Sequence, residues 1–187
     1  MSLLVPNVEA VYDHTMRLAG LPAFILAALW SAGCGDLLSM HSLHTRQDQV
    51  FDTAIEGRWE SDDNILEVRR ASDAYQVTLQ AKKVSEPPTK FEMHLVDVSG
   101  VRFADLLPED HLGHMLLRVR LAESQLRVDF FDSKWLRERV PHEEADIENF
   151  RKQSVLTQST PQLRSLVAKY AREPKAFADE TVFRKPR

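Results

Sequence analysis

Two histidine pairs carry a spacing that suits metal chemistry. His111 and His114 form an H-x-x-H, preceded by Glu109 and Asp110, with His94 as a more distant companion; His41 and His44 repeat the spacing nearer the N-terminus. Imidazoles at i and i+3 on a helix can share a metal ion. The segment LPEDHLGHM, however, holds Pro108 and Gly113 and reads as a loop entering a strand. His41 and His44 lie in a polar, aperiodic stretch and no other ligand pair stands at metal spacing, so the sequence assigns no metal. His94, His111 and His114 are the candidates for one, or for a hydrolytic site. Carboxylates are plentiful but scattered, and Glu143, Glu144 and Asp146 read as a solvated face. There is no G-x-S-x-G elbow, and six glycines leave little room for a phosphate-cradling loop. No catalytic residue and no cofactor are assigned, and an enzyme is the less favoured class.

The lone cysteine, Cys34, excludes an intrachain disulfide framework and a multi-cysteine zinc site. It closes a run without charge, Leu18 to Gly33, whose 16 residues fall short of the ~20 that a spanning helix needs. Arg17, then the apolar core Ala23 to Trp30, then Ser31-Ala32-Gly33, follows the layout of a secretory signal. The sequence Trp30-Ser31-Ala32-Gly33-Cys34 resembles the lipobox of bacterial lipoproteins, with Ser31 where that family most often has Leu. The resemblance implies cleavage between Gly33 and Cys34 and acyl chains on Cys34. Several chains give stable membrane anchoring where one gives marginal binding. By the same resemblance, Gly35 rather than Asp after the cysteine points to the outer membrane in a Gram-negative cell. Residues 1–15 carry Glu9 and Asp13 and no Lys or Arg, unlike a signal n-region. Met16-Arg17 would start a well-formed one, so translation is expected from Met16, with a long n-region as the other reading.

Composition sets wider bounds. The 187 residues are 43% hydrophobic and 28% charged, with a net charge of −4 and a pI near 6.0, which fits one ordinary globular domain and argues against a nucleic-acid binder. Residues 34–53 are polar and aperiodic and read as a tether, with a short helix near Gln47–Phe51. A single domain is expected over 54–180, and the basic end, 181–187, reads as a tail.

Within that domain the signals are mostly those of strands. Tyr75, Val77, Leu79 and Ala81 alternate with polar residues; so do Phe91, Met93 and Leu95. Leu117, Val119 and Leu121 oppose Leu126, Val128 and Phe130 across a turn at 122–125, with Arg118, Arg120 and Arg127 on the wet face, expected to pair with acids across the strands. Asp132-Ser133 caps a short helix over Lys134–Arg139. Ser159-Thr160-Pro161 starts a longer one, whose Leu163, Leu166, Val167 and Tyr170 form a stripe that should pack on the sheet or plug a barrel end. The fold class is mainly β: an antiparallel meander, as a curved sheet or small barrel, with C-terminal helices, or α+β if the sheet stays open.

Gly57-Arg58-Trp59 on the first strand resembles the G-x-W signature of lipocalins. There the tryptophan packs across one barrel end and the glycine lets the chain bend in. The stretch Leu126 to Leu136, followed by a capped helix, resembles uncharacterised bacterial lipoproteins with lipocalin-like sheets. The expectation is a lipid-anchored envelope protein that binds a small hydrophobic ligand or an envelope partner. Trp59, Tyr75, Val77, Leu79, Phe91, Met93, Leu117 and Val119 would line the pocket or fill a dry core. The alternative is an assembly accessory protein without a ligand.

Overall fold

A computed structural model describes residues 37–109, 113–150 and 153–186. Cys34, the signal-like segment and His111 lie outside the described residues. The chain makes β1 (Leu37–Ser39) and β2 (Gln49–Val50), then a 3-10 turn at Thr53–Ile55. A run of antiparallel strands follows: β3 (Gly57–Glu60), β4 (Asn64–Ala71), β5 (Ala74–Ala81), β6 (Thr89–Val98), β7 (Val101–Pro108), β8 (Met115–Ala122) and β9 (Gln125–Phe131). Helix α1 (Ser133–Arg139), the hairpin β10 (Ile147–Phe150) and β11 (Gln153–Leu156), helix α2 (Thr160–Tyr170) and β12 (Phe177–Arg184) complete it.

Strands β3 to β9 pair in sequence order, and β12 inserts antiparallel between β9 and β3, closing an eight-stranded barrel. The wall is uneven. β4 and β5 pair over their whole length, from Asn64↔Ala81 to Ala71↔Ala74, whereas β12 and β3 meet at Arg184↔Glu60 alone. β12 also slips register against β9 between Ala178 and Thr181, with Asp179 at a φ of 54°; such a bulge bends a strand and helps a sheet to curl. Gly57 enters β3 at a φ of 112° and Gly100 turns β6 into β7 at 75°, backbone regions that favour glycine.

The period-two pattern is realised in the registers. Leu117, Val119 and Leu121 face Phe130, Val128 and Leu126 across β8 and β9. Inside the barrel, Trp59, Val68, Tyr75, Val77, Phe91, Met93 and Leu126 belong to one apolar cluster. A second cluster lies outside the wall, where Leu163, Leu166 and Val167 of α2 pack with Val96, Val98, Phe103 and Leu116. Helix α2 therefore covers the wall rather than plugging an end, and the outer face of β6 to β8 is partly dry. Both helix starts are capped as their sequences suggest. Asp132 accepts from the Lys134 and Trp135 amides at 2.9 and 3.0 Å, and Ser159 and Gln162 form a capping box.

Two stretches differ from the sequence reading. From Leu37 onward the expected tether is part of the fold. β1 pairs with β11 in a three-stranded sheet, β2 extends β6, Ser39 and Leu43 are fully buried, and no helix forms at Gln47–Phe51. Two of its backbone amides and the His44 ring satisfy a buried acid of the barrel wall, described below. The expected tail is the end of β12, where Phe183 is buried in the barrel and Arg184 makes the closing pair.

Candidate functional site

Alternation along each strand sends one set of side chains inward, and these sets meet around an apolar cavity of about 70 Å³. A water takes about 30 Å³ in the liquid, so the cavity has room for roughly two or three water-sized groups. Six of the candidates named from sequence line it: Val77, Leu79, Phe91, Met93, Leu117 and Val119. Trp59 and Tyr75 are in the same interior cluster but serve its structure. The Trp59 indole N–H donates to the Ile55 carbonyl at 2.7 Å, and the Tyr75 hydroxyl takes the Asp52 amide at 2.7 Å. Burial pushes the Tyr75 phenol above its ordinary pKa. Ala104, Met115 and Phe183 are among the further lining residues, and Thr181 is the one polar residue of the lining. Leu66, Leu79, Leu106 and Phe130 are half-exposed at the end where the longer connections lie, which leaves that end partly open.

A second cavity, of about 230 Å³, sits at the opposite end, among the tight turns. Leu95, Val119, Leu121 and Ile55 give it apolar walls, and Asp52 and Arg102 give it a polar rim. Ile55 and Val119 line both cavities. Asp97 and Arg102 pair in register on the inward side of β6 and β7, one step beyond Leu95 and Ala104. The Arg102 guanidinium donates from Nε to Asp97 at 2.5 Å and from Nη1 to Asp52 at 3.2 Å. The Asp97 hydrogen bond foremost holds Arg102 above its ordinary pKa.

The histidines gather on the outside of the wall, around a residue the sequence reading passed over. The Asp105 side chain on β7 has no exposure. It accepts from the Leu43 amide at 2.7 Å, the His44 amide at 3.2 Å, His44 Nδ1 at 2.7 Å and His114 Nδ1 at 2.6 Å. Burial works against its charge, but the bonds and charges of His114 and His44 prevail and hold the carboxyl well below the usual carboxylate range. The His44 ring stacks on His94 at 3.8 Å; His94 takes the Gln49 amide on Nδ1 and bonds Glu92 through Nε2 at 2.9 Å. Ser39 and His114 exchange backbone bonds at 2.8 Å in both directions.

This cluster ties residues 39–49 to the barrel, and its geometry does not suit chelation. Two imidazoles on one tetrahedral metal place their ring centres roughly 5 Å apart with nitrogens converging. His44 and His114 are 6.4 Å apart, and each aims Nδ1 at Asp105. No three His, Cys, Asp or Glu side chains are placed to hold a metal ion among the described residues. The signal that could have exposed Asp105 is an acid at mid-strand in the otherwise apolar run from Phe103 to Leu107.

Arg118, Arg120 and Arg127 pair with acids as expected. Arg118 and Arg120 both bond the buried Asp129, and Arg120 and Arg127 reach Glu180 on β12. Arg118 also lies 3.8 Å over the Phe177 ring.

Fold and interior together define a small lipocalin-like β-barrel with C-terminal helices, holding an apolar chamber with a polar mouth. No family model, curated protein or solved structure matches the chain.

Proposed function

We propose that this is a lipid-anchored envelope protein whose barrel holds a small, narrow hydrophobic ligand. The observation that carries the binding reading is the apolar cavity: inward side chains of the strands enclose space that is not filled. A packed interior leaves few voids larger than a water molecule, and an unfilled apolar space is a natural site for an apolar guest. The anchoring reading rests on Arg17, the apolar run and Cys34, which place acyl chains shortly before Leu37. On that reading the barrel would stand at a membrane surface, close to a source of aliphatic molecules.

Methionine methyl groups give a local test. Met93 and Met115 line the cavity, and Met40 is exposed on the outside. In protein labelled with ¹³C at the methionine methyls, octane should shift the Met93 and Met115 signals and leave Met40 in place. Ala104→Phe, which fills the cavity from the wall, should abolish the shifts. Unmoved Met93 and Met115 signals in saturating octane would overturn the ligand reading and favour the assembly accessory protein.

A further inference from the structure

We infer that the ligand is a neutral single-chain amphiphile with a hydroxyl head, its tail in the apolar chamber and its head at Asp52 and Arg102. This rests on the reading of the barrel as a ligand site and adds the chemistry of the head and the direction of entry. The two cavities share Ile55 and Val119, so they lie side by side, and a chain that spans both passes between these two side chains. The larger ends at the only two charged residues on its lining, Asp52 and Arg102.

Those two charges have opposite signs and are already bonded to each other at 3.2 Å. A carboxylate head would have to displace Asp52 from Arg102 and leave one acid unpaired. An ammonium head would draw Asp52 away from the guanidinium, which Asp97 alone would then hold. The first exchange strands a half-buried carboxylate and the second breaks an ion pair already formed, and both are costs that a neutral head avoids. A hydroxyl disturbs neither: it can donate to the Asp52 carboxylate and accept from the Arg102 guanidinium. Asp97 grips Arg102 through Nε and Nη2 and fixes the fork. Counting Asp97, this end has one acid in excess, so an ammonium is the more demanding control. The size of the apolar chamber limits the tail to a short, unbranched chain. Each methylene buried along it should tighten binding about fourfold, until the chamber is full.

The test compares 1-octanol, octanoate, octylammonium and octane on the full chain at neutral pH, by calorimetry with the Met93 and Met115 methyl shifts as the record of place. Octanol should bind at least tenfold more tightly than either ion. Arg102→Met should turn the preference toward octylammonium, and Asp52→Asn should turn it toward octanoate. Octane binding with all four compounds within threefold of one another would overturn the head assignment and leave the barrel reading standing. So would an ion that outcompetes octanol. Failure of every compound, octane included, would remove the barrel reading and this inference with it. Should a variant fail to fold, the ranking on the unaltered chain decides alone.

Discussion

Replacing Asp105 by asparagine tests what holds residues 39–49 against the barrel. The carboxylate accepts four hydrogen bonds, from two backbone amides and two imidazoles, with no exposure to water. Asparagine keeps one oxygen and offers an NH2 group where the other oxygen stood, so at least one donor meets a donor. Hydrogen bonds to a charged group contribute about 1.5–3 kcal/mol each, and breaking a buried ionic network costs about 3–5 kcal/mol. Because one oxygen survives, the lower end applies, about 3 kcal/mol. For a domain of this size that lowers Tm by about 6–12 °C. The pH dependence is a second, independent signature. The Asp105 carboxyl is held below its unfolded value of about 3.9, so its contribution is complete above that value and is lost as pH falls through the lower, folded one. At pH 3 the gap between the two proteins should therefore be about 1 kcal/mol narrower than at pH 7. Urea unfolding at the two pH values measures both quantities. A Tm loss under about 2 °C, or a gap that stays constant down to pH 3, would refute the account of Asp105 as the anchor of this segment.

Two further outcomes are expected. Deleting residues 181–187 removes Phe183 and the Arg184↔Glu60 pair, so the barrel should lose its cooperative thermal transition; a variant that still melts sharply within a few degrees of the full chain would show that closure is dispensable. Mass spectrometry of the protein from the membrane fraction should give a chain beginning at Cys34 and carrying acyl groups, with Cys34→Ala left unprocessed. An unmodified chain retaining residues 1–33 would sink the anchoring proposal.

The strands were legible wherever one face is wet and the other dry, as at Leu117 to Leu121 against Leu126 to Phe130. They were harder to read where both faces are covered. Phe103 and Leu116 point outward yet are buried under the helices, so neither period two nor polarity marks them. β12 was hidden by its bulge at Asp179, which breaks the alternation before Thr181 and Phe183, and by the basic residues that follow. The segment at 37–50 looked like a tether because its side chains are polar. His44, Asp48 and Gln49 have polar side chains that meet partners elsewhere in the fold. Asp48, for example, pairs with Arg164 on α2, and His44 with Asp105. Spacing within the sequence drew attention to His44 and His114 as halves of two separate pairs. What unites them with His94 is the pleat of β6 and β7, which sets His94 opposite Asp105. That is a cross-strand relation, and local spacing does not contain it.

The single pair that joins β3 to β12 makes the barrel a container with a seam. Elsewhere the wall is stitched by long ladders, as between β4 and β5 or β6 and β7. At the seam it is held by Arg184 beside Glu60 and by the Lys185 ammonium 5.0 Å above the Trp59 ring. These contacts join residues far apart in the chain, so each carries a large closure entropy with little local reinforcement. Under thermal motion the wall gives way there before it does anywhere along the ladders. A guest in the interior would then have a sideways exit besides the two ends, and the grip of one strand would bear on how long it stays.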